Sequence, residues 1–471
     1  GGTGIAATSY PFSLQTLGEG VIYNNSTGAG DAGAENSDGS LVSGSADNLR
    51  WEVSNVNTAK GTFTLAIRRG DDALKNKVIL ETFNNLSLDT NSDNYIEKVI
   101  GNQYTTVSTD GNSKFITTVG DYANRSNYVR VSAVHLPTLN YLANDGVSVN
   151  TDSDGNSFAS YLPAAQSGSF HGATGEIVVA GMSLNENITS VSTDAQGLAA
   201  SDYTDIVAVL GNKDDYQFNV LVTPGLLYEN NNFTSTVQSF ITLAEDRGDA
   251  IYVPDLVQYG TGISTVVSEA EALNSSYAAS YWPWLKLRSA TGKDVWAPAS
   301  VVIPGVFAAN DNAAAPWFAP AGLVRGGIPG VLDVERKLPR TSRDTLYDGK
   351  INPIAAFPGA GIAVFGQKTL QTKASALDRV NVRRLLIELK KEIADVARNL
   401  VFEQNTITTR NRFLARVNPY LESVVQQQGL YSYRVVMDDS NNTADVIDRN
   451  QLIGQIYIQP AKTAEFVVLD F

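Results

Sequence analysis

Three stretches of this chain spell fragments of chemistry. Gly28-Ala29-Gly30-Asp31-Ala32-Gly33 follows the apolar triplet Val21-Ile22-Tyr23 and matches the glycine fingerprint of a dinucleotide-binding turn. Such a turn must open a helix, because the pyrophosphate rests on that helix's free N–H groups. The residues that follow, Ala34-Glu35-Asn36-Ser37-Asp38-Gly39-Ser40, are turn formers, so the glycines read as a polar loop. Asn150-Thr151-Asp152-Ser153-Asp154-Gly155 matches the first half of a calcium loop. The twelfth position of such a loop supplies a bidentate glutamate, and here it is Tyr161. Asp89-Thr90-Asn91-Ser92-Asp93 fails in the same way, at Ile100. Both acidic stretches read as turns.

The remaining reactive side chains are few. His135 and His171 are the only histidines, too few for a histidine metal cluster, and His135 lies in an apolar run that suits a core or an interface. Cysteine is absent, which excludes disulfides, thiolate zinc sites and thiol catalysis. No GxSxG elbow, HExxH helix or phosphate-binding P-loop occurs, and nothing selects a working pair from the 49 acidic residues. The expectation is a non-enzymatic protein with no cofactor and no metal.

Charge is distributed more informatively. Between Gln367 and Arg416 eleven basic residues (Lys368, Lys373, Arg379, Arg383, Arg384, Lys390, Lys391, Arg398, Arg410, Arg412 and Arg416) stand against five acids, a surplus of +6. The whole chain carries −14, so the remainder carries −20. Two oppositely charged faces suit assembly with a partner, whereas the acidic total disfavours general nucleic-acid binding. Periodicity alone gives the basic residues a simpler role, as the solvated face of amphipathic helices. No apolar run approaches the eighteen or so residues of a membrane span, so no membrane insertion is expected. The chain opens at Gly1 without a methionine, which suggests that an upstream portion has been removed.

The elements that must position these residues fall into three regions. Residues 1–200 are rich in Gly, Ser, Thr, Asn and Asp and read as a β-rich region with long loops. In Gly61–Arg68 the residues Phe63, Leu65 and Ile67 alternate as on a half-buried strand, Asn127 to Leu136 is another strand, and Asp110-Gly111, Asp145-Gly146 and Asp154-Gly155 mark turns. Residues 201–365 read as a central α/β domain. Tyr216 to Val222, a helix over Phe233 to Asp246, Ala250 to Val253 and a helix over Thr265 to Ala279 spell a parallel sheet with crossover helices. Pro283 to Gly330, dense in Pro, Gly and Trp, reads as ordered loops. Residues 366–471 read as a C-terminal α+β domain with two helices and edge strands. Val382, Leu385, Leu386, Leu389, Ile393, Val396, Ala397 and Leu400 form the stripe of the first helix, with Ser375 as its start signal. The second runs from about Thr408 to Gln428, holds Pro419, and stops at Gly429. Strands follow at 431–437, 455–458 and 465–469. The fold class is therefore α+β and multidomain.

Within the last region, Phe365-Gly366-Gln367-Lys368-Thr369-Leu370 is followed by Ala376-Leu377-Asp378-Arg379-Val380-Asn381-Val382-Arg383-Arg384-Leu385. Then come Val401-Phe402-Glu403-Gln404-Asn405, Tyr433-Arg434-Val435-Val436, Asn441-Asn442-Thr443, Val446-Ile447-Asp448-Arg449-Asn450 and Ile456-Tyr457-Ile458-Gln459-Pro460-Ala461. In that order, these runs resemble the C-terminal signature of contractile tail sheath proteins. Upstream, Ser275 to Ala279, Trp282-Pro283-Trp284, Gly305 to Ala308 and Ala319 to Gly322 resemble the same family's central domain, and Leu80 to Asp89 is similar to a stretch of large phage sheaths. Residues 101–200 carry little of the resemblance, which implies a variable, outward-facing insertion there. Family members usually begin with an N-terminal extension and a further domain, and the expected start is not found at Gly1, so the resemblance implies a core fragment.

The resemblance implies a subunit that polymerises as hexameric rings or a six-start helix around a tail tube. It implies contraction that drives the tube through a host envelope, and partners in the tube, baseplate and tail terminator proteins. Location in the tail of a virion assembled in the host cytoplasm goes with it. By the same resemblance, Arg379, Arg383, Arg384, Lys390 and Lys391 are candidate tube- or subunit-facing contacts. Tyr433, Val435, Ile456, Ile458, Phe466 and Val468 lie on the candidate edges for strand exchange between copies. Two other readings remain at this point: a sheath of a headless contractile injection or secretion system, and a β-rich carbohydrate-binding adhesin.

Overall fold

The computed structural model describes residues 10–17, 49–70, 72, 75–111, 113–170, 202–289, 292 and 294–465. The chain divides into two compact units, Gly1–Val209 and Leu210–Phe471.

In the first unit, strand β1 is Phe12–Thr16, followed by β2 (Leu49–Asn57), β3 (Thr62–Arg69), β4 (Ile79–Ser87), β5 (Tyr104–Asp110), β6 (Ser113–Val119), β7 (Val129–Val134) and β8 (Gln166–Ser169). An antiparallel sheet runs β4-β3-β2-β8, β1 pairs antiparallel with β7, and β5 and β6 form a separate hairpin. The hairpin turns at Gly111, where φ is +60°, and the other two expected turns also place glycine at positive φ, Gly146 and Gly155. Phe63, Leu65 and Ile67 are wholly buried in a core with Leu86, Leu88, Ile96, Ile100, Val129 and Val131.

The expected half-buried strand is buried on both sides. Thr64, Ala66 and Arg68 are covered as well as the apolar face. Arg68 tolerates this because its guanidinium grips Asp72 with Nε–Oδ2 and Nη2–Oδ1 both at 2.8 Å and also meets Glu52 at 3.0 Å. A buried charge persists only when paired and hydrogen-bonded in this way. Nearby, Gly61 at φ +70° has no room for a side chain, because an added Cβ would lie 2.4 Å from the ring of Tyr141. That tyrosine locks the turn by donating its hydroxyl to the Thr58 carbonyl at 2.6 Å.

In the second unit, β9 (Val220–Leu227), the helix Thr234–Arg247 and β10 (Ile251–Asp255) make a β-α-β unit with the two strands parallel. The helix Ile263–Glu271 then leads to β11 (Ser280–Trp282). A parallel bridge between Tyr252 and Ala278 carries the sheet onward, and β11 lies parallel to β15 (Ile351–Phe357), which pairs antiparallel with β16 (Gly361–Val364). The crossover arrangement expected from the pattern is present. The stretch expected as loops is not loop throughout. It holds β12 (Leu285–Arg288), β13 (Asp294–Ala297) and the helix Ile303–Ala313, and β12 also pairs with β14 (Val331–Val334). Pro304 sits in the first turn of that helix, where the missing N–H costs nothing, so it starts the helix and does not break it.

The helix Val380–Arg398 is buried on all sides through its first turns: Val380 to Leu385 are all covered. Val380 and Ile387 enter the core built around Ile251, Tyr281, Ile303 and Phe307, while Leu385 and Leu389 join a second core with Phe413, Val417, Leu421 and Val424. Ser375 caps only a short turn, Ala376–Asp378, ahead of this helix. The next helix, Ile407–Gln426, starts at Thr406, whose hydroxyl accepts from the Thr409 amide, and it runs through Pro419 without stopping. Gln428, at φ +63°, takes the left-handed position after it. Gly429 is needed for a different reason: a Cβ there would lie 2.6 Å from Val424 Cγ1 and 3.1 Å from Trp317. Strands β17 (Leu430–Val436) and β18 (Gln455–Pro460) pair antiparallel and complete the unit.

Candidate assembly interface

The paired strands β17 and β18 present two chemically different faces. Tyr433 lies opposite Ile458 and Val435 opposite Ile456, and all four pack on the second core. Their side chains therefore hold the subunit together. Tyr431, Arg434 and Tyr457 point outward and are exposed. The sheet has two strands, so each leaves one backbone edge without a strand neighbour among the described residues. Phe466 and Val468, the candidate edge residues of a third strand, lie outside the described residues.

The connection between β17 and β18 is tied down by side-chain amides. Asn442, 2% exposed, donates Nδ2 to the Ile453 carbonyl at 2.8 Å and accepts the Ile453 amide on Oδ1 at 2.9 Å. Asn405 donates to the Gln451 carbonyl at 2.8 Å and accepts from Arg410 Nε at the same distance. Arg410, also buried, reaches Asp439 at 2.6 Å. These three residues fix the path into β18, and spacing on a helix or strand cannot reveal them because Asn405 and Asn442 bond loop backbone and Arg410 bonds Asn405 and a loop aspartate.

The five basic candidates divide. Arg383 is 4% exposed, donates Nε to the Ser276 carbonyl at 3.1 Å and also binds the Ser276 hydroxyl. Its guanidinium stacks 3.9 Å above the Tyr277 ring, and burial pushes its pKa below the ordinary arginine value. Arg384, equally buried, pairs with Asp311 and lies 4.5 Å over Phe307. Neither offers a free charge, so the expectation for these two is revised: they fasten the helix Val380–Arg398 to the central body. Arg379 is half-buried and grips Glu465 bidentately, Nε–Oε1 at 2.6 Å and Nη2–Oε2 at 3.0 Å, with Asp378 on Nη1 at 3.0 Å. Lys390 and Lys391 are exposed, and among the described residues Lys390 makes a long contact of 3.4 Å with the Tyr277 hydroxyl. Arg412 and Arg416, one turn apart on the next helix, are exposed too, with Glu403 at 3.5 Å from Arg412.

An apolar groove of about 1090 Å³ opens beside this surface, lined by Leu400, Met437, Ile447, Leu452 and Ile456 among others. Phe402, fully exposed and at φ +69°, is one of its lining residues.

The motifs with catalytic or metal-binding associations resolve differently. The Asp152 carboxylate receives the amides of Asp154 and Asn156 at 2.9 and 2.8 Å, Asn156 Nδ2 at 3.0 Å, and the Tyr161 hydroxyl. Those bonds, Tyr161's above all, hold its pKa down at about 2. The residue in the glutamate position thus closes the turn onto the carboxylate. His135 Nε2 hydrogen-bonds Ser13 Oγ at 2.8 Å, cross-linking the chain near β7 to β1. The glycine run 28–33 and His171 lie outside the described residues.

The model of the phage tail sheath protein central domain matches residues 196–370, and that of the phage tail sheath C-terminal domain matches residues 372–471. The chain belongs to the phage tail sheath family. Among curated members it is similar to the tail sheath protein of Vibrio phage KVP40, 43% identical over 176 residues, which is 37% of this chain and 26% of that one. The tail sheath protein of Enterobacteria phage T4 is 39% identical over 176 residues, covering 37% and 27%, and that of Salmonella phage ViI is 30% identical over 308 residues, covering 61% and 48%. The chain thus spans about a quarter to a half of the length of these sheath proteins. Among solved structures, the contracted PVC sheath complex of an extracellular contractile injection system is 26% identical with a TM-score of 0.47, covering 54% of this chain and 71% of that chain. The contracted sheath of the anti-feeding prophage is 24% identical, also with a TM-score of 0.47, covering 58% and 75%.

The amide-tied loop and the Arg379–Glu465 pair both fall inside the sheath C-terminal domain match. The helix Val380–Arg398 begins ten residues after the central-domain match ends, yet Val380 and Ile387 are buried in the core of the central sheet. The two sheath domains therefore share that helix.

Proposed function

We propose that this chain is a structural subunit of a contractile phage tail sheath, whose copies polymerise around a tail tube and shorten to drive it through the host envelope. The observation that carries the reading is the consecutive match of both sheath domain models over residues 196–370 and 372–471. The open backbone edges of β17 and β18 support it, because main-chain hydrogen bonds across such edges can link copies while the wall changes length. The curated sequences that match are phage sheaths, which favours a virion tail over a headless injection machine. An adhesin would need exposed aromatic platforms. Trp51, in β2, instead packs on the core of the first unit and closes over Gly168.

In this reading the sheath protein is structural, not enzymatic. No nucleotide powers the stroke; the extended wall is metastable and relaxes to a form with more buried interface. A few hundred Å² of extra apolar contact per subunit releases on the order of several kcal/mol at about 25 cal/mol per Å². The C-terminal domain faces the tube, and the β-rich insertions face outward. Lys390 and Lys391, with Arg412 and Arg416, are the contacts toward the tube or a neighbouring copy. Tube, baseplate and terminator proteins are the partners. Negative-stain microscopy of the purified full-length protein tests the reading. Tubes or rings of uniform diameter are expected, and discrete particles at every concentration and salt would sink it.

A further inference from the structure

The residues after β18 do not run free. Ala461 is held by its amide, which donates to the Gly429 carbonyl at 3.1 Å. Four residues on, Glu465 is seized by Arg379 Nε and Nη2 at 2.6 and 3.0 Å and by Gln367 Nε2 at 3.2 Å, and the Tyr347 hydroxyl also hydrogen-bonds this carboxylate. Gln367 Nε2 also donates to Thr463 Oγ1 at 2.6 Å. Lys462, Thr463 and Ala464 between these anchors are exposed. The gripping groups are themselves rigid. Gln367 is buried, Arg379 immediately precedes the helix Val380–Arg398, and the two segments are cross-linked by the bond from the Val380 amide to the Gln367 carbonyl at 2.8 Å. A cleft of about 580 Å³ separates the strap from residues 374–382.

We propose that this clamp fixes the position and direction of the chain at residues 461–465, and thereby lowers the concentration at which copies join. The inference rests on the sheath-subunit reading. Its logic is entropic: fixing a residue's backbone costs roughly 1–2 kcal/mol, and residues 461–465 are fixed before any neighbour arrives. The clamp spends only polar atoms of Thr463 and Glu465. The following residues, Phe466-Val467-Val468-Leu469-Asp470-Phe471, are apolar but for one aspartate, a composition that suits strand addition to a second copy. The sign is definite. The clamp acts on residues 461–465, immediately before that apolar segment, and uses none of the segment's own atoms, so breaking it weakens assembly.

The test uses the full chain with Glu465→Gln, which keeps shape and removes charge, and Arg379→Lys, which keeps charge and removes the bidentate fork. Lys462 supplies a direct reporter, since it lies between the two anchors and trypsin cleaves after it. Below the assembly threshold, both variants should be cut after Lys462 about tenfold faster than the parent, as expected for losing charge-assisted bonds, while cutting after exposed Lys373 is unchanged. By sedimentation, the critical concentration for polymer should rise by a similar factor. Unchanged cleavage and threshold would overturn the proposal, and a lowered threshold would overturn it too by making the strap a brake. A parent chain that never polymerises would overturn the sheath reading along with it, whereas a polymerising parent matched by its variants would sink the clamp alone.

Discussion

The side-chain amide of Asn442 meets the backbone of Ile453 in both directions, Nδ2 to carbonyl at 2.8 Å and amide to Oδ1 at 2.9 Å. The pairing imitates a rung of β-sheet at the point where the chain must turn into β18. A second bond from Nδ2 to the Asp438 carbonyl, at 3.2 Å, ties the same residue to the exit of β17. The loop is therefore spanned at both ends by one side chain that is almost wholly buried.

Asn442→Ala should accordingly destabilise the second unit by about 2–4 kcal/mol, because it leaves buried backbone groups without partners. Asn442→Asp keeps the acceptor and loses the donors, so it should cost nearly as much. Urea denaturation checks the magnitude, and hydrogen exchange at Ile453 checks the cause. A loss confined to a few tenths of a kcal/mol would mean that water replaces the amide.

Arg384 and Lys391 lie seven residues apart on one helix, and their substitutions should separate stability from assembly. Arg384→Ala breaks an ion pair with half-buried Asp311 and removes a buried guanidinium stacked on Phe307, and should cost about 2–3 kcal/mol, mainly from lost packing and lost charge-assisted bonding. Reversing Lys390 and Lys391 to Glu should shift stability by no more than about 0.5 kcal/mol, since both are exposed. Polymerisation on the tube should nevertheless weaken, most clearly at low salt. Equal assembly by the reversed variant across salt concentrations would remove both lysines from the interface.

Much of this architecture was legible from periodicity. The stripe Leu385, Leu389, Ile393 and Val396 does face the second core, and the apolar runs at Tyr216 to Val222 and Ala250 to Val253 do lie at two parallel strands joined by a helix, although the first strand starts only at Val220 and runs on through Pro224 and Gly225 to Leu227. What periodicity cannot give is whether the polar side of an element is also covered. Arg68 in β3 and Arg383 and Arg384 in the helix look solvated from spacing alone. Their covers come from Asp72 across a turn, from Ser276 107 residues away, and from Asp311 73 residues away. The runs around Asn405 and Asn442 carried the family resemblance without showing why those residues are needed. Their reason is loop backbone, which has no period. The exposed lysines were identifiable as a basic face from their spacing.

Acid should act on the clamp. Glu465 is shifted below the ordinary glutamate value: burial works to raise it, and the bonds from Arg379, Tyr347 and Gln367 together with the Arg379 charge overcome that. A carboxylate with a depressed pKa contributes stability that is complete above its unfolded value and is lost as pH falls through its folded one. Trypsin-independent measures are needed at such pH, so pepsin nicking near residues 461–471 is the readout. Susceptibility should rise on acidification below about pH 4.5 in the parent, the range in which an ordinary glutamate also protonates, and should be high throughout in Glu465→Gln.

Asp255 should produce the opposite slope. It ends β10 fully buried, accepting the Ser300 hydroxyl at 2.5 Å and the Ser300 amide at 3.2 Å, and the Gly225 amide also hydrogen-bonds it. Those three donors favour the carboxylate, but desolvation outweighs them and pushes the pKa up to about 7. The folded state then binds a proton that the unfolded state, titrating near 4, has already released. Stability is fully present below pH 4 and declines as pH rises toward 7, by on the order of 4 kcal/mol for a full three-unit separation at 1.36 kcal/mol each. Asp255→Asn keeps an acceptor for the two amides, and the Ser300 hydroxyl can rotate to accept from the new NH2 group. The variant should therefore fold and lose this component of the slope, gaining relative to the parent at pH 7 and not at pH 4. Urea midpoints measured from pH 4 to pH 8 decide the matter, and parallel curves for parent and variant would show that Asp255 stays ionised in the folded protein throughout.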